Sequence, residues 1–289
     1  MEVKNGPMAT VSKTAFELVG ADGGPLRGEV RTQEQGADRP AVVICHGFKG
    51  FKDWGYFPHL AARLARAGVT AVSFNFSGSG VGPDGESFSE PERFGHATFS
   101  RDLDDVAAVV TALHAGDLVQ GLAVPTRLGV FGHSRGGAVA VMYTAAQPRV
   151  AALVTWAAIG SLVRWDEATI AKWREDGRTD VVNMRTGDVL PLYTDVLDDI
   201  EAHSAGRLDL LGAAAAVDVP WLIVHGADDE AVDPGDAEKL HGAAGGSAEL
   251  EIIPGGTHTL GARHPWAGST AELDRGMDLT VGWFTRHLL

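Results

Sequence analysis

The stretch that decides the fold is VFGHSRGGAVAVMYTAA, residues 130–146. An apolar run ends at Val130 and Phe131, a serine follows between glycines, and an alanine-rich helical pattern begins at once. Residues 132–136, GHSRG, fit the pattern G-x-S-x-G between a strand and a helix. In that motif the serine stands on a strained turn, where side chains two positions away would collide. The pattern therefore predicts a nucleophilic Ser134; the alternative interpretation is a small-residue turn without chemistry.

On both sides of this stretch, short apolar runs alternate with longer helical patterns. This alternation is typical of βαβ units, and dense apolar runs fit parallel strands buried on both faces. Residues 14–20 and 26–33 instead alternate polar and apolar side chains around the turn ADGGP, which predicts an antiparallel hairpin. The remaining strands of an expected sheet of about eight strands are predicted at 40–47, 69–76, 127–134, 150–158, 220–226 and 248–255. Helices are predicted at 57–68, 100–116, 136–147 and 270–289.

Residues 161 to about 214 interrupt the alternation. The segment is far longer than the ~2–6 residues that usually connect elements in such folds, and residues 174–188 within it look like a loop. We interpret it as a small lid inserted into a single domain that spans residues 1–289. A lid over a cleft must present apolar surface inward, so Trp165, Trp173 and Tyr193 are candidate substrate contacts. The alternative is that they form the core of the lid itself.

The composition excludes several classes of function. Lys and Arg number 24 against 38 Asp and Glu, and the net charge of −14 argues against nucleic acid or an anionic membrane surface as a partner. Cys45 is the one cysteine, so no internal disulfide can form. Residues 1–13 lack an apolar signal segment, and the longest uncharged apolar run, 150–163, is shorter than the ~20 residues of a membrane span. We therefore expect a soluble cytoplasmic protein.

Motifs for cofactors and metals are missing from the sequence. Gly78, Gly80 and Gly82 follow a predicted strand, but their G-x-G-x-G spacing is not the dinucleotide pattern and no helix begins there. The sequence contains neither a G-x-x-x-x-G-K-[ST] phosphate loop nor an H-E-x-x-H metal pair. We expect no cofactor and no metal ion.

A serine hydroxyl is a weak nucleophile and needs a general base. His258 follows the last predicted strand, at the carboxyl edge of the sheet, where ligands bind in open α/β folds. His264 is a competitor, but it precedes Pro265 and lies further from the strand end. His258 is the better candidate, and a surface loop histidine is the alternative for either.

The base in turn needs an acid that orients it. Three aspartates follow the predicted strand at 220–226, namely Asp228, Asp229 and Asp233. With any of them, the chain order would be serine, acid, histidine. Three unrelated groups of serine hydrolases each have a different order of these residues, and this order is found in one of them.

The segment HGADDEAV, residues 225–232, resembles the H-G-x-x-D-x-x-V element of the α/β-hydrolase superfamily, a resemblance that covers nearly the whole chain. It implies the α/β-hydrolase fold and assigns the acid to Asp229. The segment ICHGFKG, residues 44–50, resembles the oxyanion loop of that superfamily. The resemblance implies that the backbone N–H groups of Phe48 and Arg135 bind the oxyanion.

Three further segments, GHSRGG (132–137), FNFSGSGVG (74–82) and THTLGARHP (257–265), are similar to the dienelactone-hydrolase-like and cinnamoyl or feruloyl-esterase-like branches. Dienelactone hydrolases proper use a cysteine nucleophile and lack so long a lid. Because a serine, Ser134, stands at the nucleophile position between strand and helix in this chain, the resemblance favours ordinary ester hydrolysis.

The sequence therefore predicts a serine carboxylesterase that acts on a small-molecule ester without a cofactor. A thioesterase or a prolyl-oligopeptidase-like serine peptidase would use the same residues, although a propeller-sized N-terminal domain is missing. A catalytically silent ligand-binding protein is the non-enzymatic alternative, disfavoured because all three positions are filled. A homodimer is compatible with the sequence, which does not indicate the oligomeric state.

Overall fold

The strands and helices predicted outside the segment 161–214 form in the predicted order, and two further helices, Pro91–Gly95 and Pro234–Ala244, form in addition to them. The computed structural model describes residues 10–33, 38–183 and 186–289. The expectation of no signal segment rests partly on residues 1–9, which lie outside the described residues. The strands are Ser12–Val19 (β1), Pro25–Thr32 (β2), Ala41–Cys45 (β3), Thr70–Phe74 (β4), Leu128–His133 (β5), Val150–Trp156 (β6), Arg178–Val182 (β7), Val189–Tyr193 (β8), Trp221–Gly226 (β9) and Ala248–Ile253 (β10). The helices are Phe57–Arg66 (α1), Pro91–Gly95 (α2), Phe99–Ala115 (α3), Arg135–Ala146 (α4), Glu167–Asp176 (α5), Asp195–His203 (α6), Leu210–Ala216 (α7), Pro234–Ala244 (α8) and Ala271–Leu288 (α9).

Eight of these strands form one sheet in the order β1-β2-β4-β3-β5-β6-β9-β10. The hairpin β1–β2 is antiparallel and joins the sheet antiparallel to β4, while β4, β3, β5, β6, β9 and β10 run parallel. Every residue of β3, β4, β5 and β9 is buried, because helices cover both faces of a parallel sheet. The prediction of a mostly parallel, doubly wound sheet of about eight strands is confirmed.

Two apolar layers, one on each face of the sheet, hold the helices. On one face α1 and α9 bury side chains that include Leu60 and Phe284 against alternate residues of the central strands, such as Ile44 and Phe131. On the other face α3 and α4 pack against the intervening residues, such as Val130.

The segment 161–214 leaves the central sheet. It contains α5, α6, α7 and the two-stranded antiparallel pair β7–β8. The prediction of a loop over residues 174–188 is wrong at 178–182, where β7 forms. Met184 and Arg185, which belong to that predicted loop, lie outside the described part of the chain. The residues of β7 are exposed or half-buried, and this strand pairs with β8 alone. Its sequence therefore lacks the dense apolar run by which a buried strand is predicted.

Candidate active site

Ser134 lies at the sharp bend between β5 and α4. Its backbone has φ 56° and ψ −120°, a strained conformation for a residue with a side chain. The flanking glycines are sterically required: a Cβ at Gly132 would lie 2.2 Å from the carbonyl oxygen of Gly136, and one at Gly136 would lie 2.3 Å from that of His46. The N–H of Ser134 donates to the carbonyl of Trp156 at 2.9 Å and fixes the bend to β6.

Asp229 and His258 meet at the carboxyl ends of β9 and β10. His258 Nδ1 lies 2.8 Å from Asp229 Oδ2, and Oδ1 of the same carboxylate accepts the N–H groups of Ala231 and Val232 at 2.9 Å each. Burial of this side chain would raise its pKa, but the hydrogen bonds from His225, His258 and the backbone dominate and hold the pKa of Asp229 well below its usual range. The carboxylate is therefore ionised and acts as an acceptor for the imidazole.

The competing aspartates and the second histidine serve other purposes. Asp228 is exposed, and Asp233 caps α8 by accepting the N–H of Gly235 at 2.7 Å. His264 Nδ1 accepts the N–H of Gly55 at 3.1 Å, and its ring stacks on Trp54. Of the candidates left open by the residues alone, the structure brings together Asp229 and His258.

The two predicted oxyanion donors flank Ser134. A Cβ at Gly47 would lie 3.0 Å from Ser134 Cβ, so the turn that contains Phe48 passes directly beside the serine. The N–H of Arg135 is the first of α4 and has no acceptor within the helix, at the end where the helix dipole is positive. This placement suits an oxyanion between the two groups, and their role stays a prediction.

Ser134 and His258 open onto one cavity of about 410 Å³. No hydrogen bond joins the two side chains within the described part of the chain, a contact that often tightens only when substrate is bound. The lining is mainly apolar with three cationic side chains. It comprises Phe48, Lys49, Phe99, Ser134, Arg135, Ile159, Leu162, Arg164, Trp165, Ala231, Val232 and His258.

Of the three aromatic residues predicted to contact substrate, only Trp165 lines this cavity. Trp173 is instead buried and donates its indole N–H to the carbonyl of Leu192 at 2.8 Å. The ring of Tyr193 stacks on His96. Trp173 therefore belongs to a core within the segment itself, whereas Tyr193 joins the segment to the region of α2, where its hydroxyl also donates to Glu92 at 3.0 Å.

Two buried histidines support the site in ways that the sequence does not show. His225 Nε2 lies 3.2 Å from Asp229 Oδ2 and 2.9 Å from the carbonyl of Val232. His133 Nε2 donates to the main-chain carbonyl of His258 at 2.9 Å. Burial lowers the pKa of His133 to about 3, so its ring is neutral and its one N–H is committed to that carbonyl. The position of His133 next to Ser134 was the only sequence signal for this contact.

Three further findings concern metal-binding groups, the cysteine and the helices of the described residues. No group of three His, Cys, Asp or Glu side chains there could hold a metal ion. Cys45 is buried, and burial raises the pKa of its thiol above the usual value. None of the described helices is both long enough and apolar enough to cross a membrane.

The chain resembles several known proteins. Residues 36–176 match the family model described as "Serine aminopeptidase, S33". The chain is 25% identical over 231 residues to 2,6-dihydropseudooxynicotine hydrolase of Paenarthrobacter nicotinovorans; the match covers 78% of this chain and 54% of that protein, so the chain spans about half the length of this relative.

Solved structures with the same fold include two that cover nearly the whole chain. The dienelactone hydrolase of Anabaena variabilis has a TM-score of 0.63 at 19% identity, over 96% of this chain and 99% of that one. Est1E of Butyrivibrio proteoclasticus, solved with bound ferulic acid, has a TM-score of 0.69 at 20% identity, over 93% of this chain and 98% of that one. The chain therefore has the α/β-hydrolase fold, and its residues 36–176 resemble a serine aminopeptidase family.

Proposed function

We propose that the protein is a carboxylesterase that hydrolyses small to medium carboxylic esters through an acyl-enzyme on Ser134. The observation that carries this proposal is the 2.8 Å contact between His258 Nδ1 and the ionised Asp229, with His258 and the strained Ser134 on the same cavity. This arrangement supplies a nucleophile, a base and an acid that orients the base.

The proposed reaction has two steps. Ser134 Oγ attacks the ester carbonyl while His258 Nε2 takes its proton and then delivers it to the departing alcohol. The N–H groups of Phe48 and Arg135 stabilise the negative charge on the tetrahedral intermediate. A water molecule, deprotonated by the same imidazole, then attacks the acyl-enzyme and releases the acid. Asp229 keeps the proton of the neutral imidazole on Nδ1, so that Nε2 is free to accept.

The cavity supports an organic ester as the substrate. Its volume of about 410 Å³ falls within the range of small-molecule sites. Apolar side chains such as Phe99, Ile159 and Leu162 would cover an acyl or aryl group. Leu162 and Trp165 come from the segment 161–214, which supports our proposal that this segment acts as a lid on a single domain.

A serine peptidase is the second candidate, because the matching family model is that of a serine aminopeptidase. A panel of purified substrates separates the candidates: 4-nitrophenyl acetate and butyrate, a butyryl thioester and aminoacyl 4-nitroanilides. We expect the oxygen esters to have the highest kcat/KM. Faster cleavage of an anilide or the thioester would overturn the carboxylesterase proposal, and absence of turnover on every substrate would favour a ligand-binding protein.

Trp165→Ala is expected to change substrate preference, because this side chain is part of the cavity wall. The kcat/KM ratio of 4-nitrophenyl hexanoate to acetate should fall about tenfold, or ~1.4 kcal/mol, since the lost contact uncovers about two methylenes at ~0.8 kcal/mol each. Trp173→Ala is the matched variant, because the ring of Trp173 contacts that of Trp165 edge to face, with the ring centres 4.9 Å apart. It should cost about 3–5 kcal/mol of stability as a cavity in the segment's core, with less change in that ratio. Equal loss on both esters for Trp165→Ala would place Trp165 in that core too.

A further inference from the structure

The cavity beside Ser134 is lined by cations in an acidic protein. The chain has a net charge of −14, yet the lining contains Lys49, Arg135 and Arg164 and, among the described residues, no carboxylate. Two of these cations are already neutralised. Arg135 Nε lies 2.8 Å from Asp102 Oδ2, and Arg164 Nη1 lies 2.6 Å from Asp236 Oδ2. Lys49 is the exception.

The ammonium of Lys49 has no ionic partner within the part of the chain that the structure describes. Its Nζ donates to one neutral acceptor, the carbonyl of Val182 at 3.1 Å. Burial lowers the pKa of Lys49, and no neighbouring carboxylate opposes this effect. A half-buried cation with a single neutral acceptor still has two N–H donors to offer.

The backbone of Lys49 is also unusual. Its φ is 56°, in the left-handed region that glycine adopts without strain and other residues avoid. The strained lysine directly follows Phe48, the predicted oxyanion donor, and lies on the wall of the same cavity. Strained residues at such places are associated with function.

We propose that Lys49 is a specificity-determining residue that binds a carboxylate on the ester substrate, so the preferred substrates of this enzyme are negatively charged esters. This inference rests on the proposed esterase function. A carboxylate entering the cavity would accept charge-assisted hydrogen bonds from the Lys49 ammonium. The surrounding apolar wall strengthens this interaction relative to water. An ester of the same size with a neutral amide in place of the carboxylate would leave the ammonium uncompensated.

Two pairs of esters test the proposal and locate the charge. In the first pair, 4-acetoxybenzoate and 4-acetoxybenzamide, the leaving group carries the carboxylate or its neutral equivalent. In the second, monomethyl adipate and methyl 5-carbamoylpentanoate, the acyl group carries it. For each pair kcat/KM is measured on the wild type, Lys49→Met, Lys49→Arg and the control Lys172→Met, which removes an exposed lysine of α5.

We expect Lys49→Met to lower the carboxylate-to-amide ratio about tenfold in at least one pair, as expected for loss of a hydrogen bond between charged groups. Lys49→Arg keeps most of the preference, Lys172→Met keeps all of it, and raising the salt concentration reduces it in the wild type. The ratio within a variant cancels any loss of folded enzyme.

Two results would overturn the proposal. If Lys49→Met lowers both members of each pair equally, Lys49 only anchors β7 through Val182, while turnover of the neutral esters still supports the esterase. If the wild type hydrolyses the 4-nitrophenyl esters but none of these four, this inference fails and the proposed function stands; if it hydrolyses neither set, both fail.

Discussion

Replacing Ser134 with alanine is expected to lower kcat by a factor of about 10⁴ to 10⁶ on the best ester of the panel. Without the hydroxyl no acyl-enzyme can form, and His258 has no alcohol to deprotonate. Any remaining activity would come from substrate binding and oxyanion stabilisation alone. KM should change much less than kcat, because the hydroxyl contributes little to binding of the ground state.

Two measurements make this expectation specific to Ser134. A fluorophosphonate should label the wild type once, and peptide mass spectrometry should place the adduct on Ser134. Ser269→Ala, which removes an exposed hydroxyl bonded to Asp274, is the control and should retain full activity and labelling. An adduct on another serine, or a Ser134→Ala enzyme that is folded and keeps most of its activity, would contradict the assignment.

The parts of this fold that the sequence predicts are those where local chemistry leaves one solution. At the bend, Gly132 and Gly136 are required because a Cβ at either would collide with backbone. The dense apolar runs of β3 and β9 are required because helices cover both faces of the sheet. Because such constraints act over only a few neighbouring residues, the local pattern of residue types is enough to predict these parts of the fold.

The parts that the sequence does not predict depend on contacts between distant segments. β7 forms by pairing with β8, and Trp173 reaches Leu192 across that segment, so neither can be inferred from a run of neighbours. His225 approaches Asp229 because the loop after β9 turns back on its own strand. His133 reaches the main chain of His258, 125 residues away, only once β5 and β10 lie in one sheet.

The choice among the three aspartates combines both kinds of information. Their spacing leaves Asp228, Asp229 and Asp233 open, and only a resemblance to known hydrolases favours the second. The structure separates them by environment: Asp229 is buried against two imidazoles, whereas Asp228 is exposed and Asp233 caps a helix. A variant series on these positions therefore tests the proposed catalytic acid with internal controls of identical chemistry.

Asp229→Asn is expected to lower kcat by about 10⁴ with little change in the fold. The amide that replaces Oδ2 can donate to His258 Nδ1, which would move the imidazole proton to Nε2 and leave no lone pair to accept the proton of Ser134. The amide oxygen can keep the N–H groups of Ala231 and Val232, so the loop should hold its shape.

The same substitution at the other two positions should cost less than about tenfold, equivalent to ~1.4 kcal/mol of activation free energy. At the first of them, Asp228→Asn alters only an exposed side chain, and at the second, Asp233→Asn retains a residue that caps helices well. The three variants are compared by kcat on one ester, with circular dichroism and thermal unfolding to establish that each is folded. If Asp228→Asn or Asp233→Asn were the inactive variant while folded Asp229→Asn stayed active, the carboxylate at 2.8 Å from His258 would not be the catalytic acid.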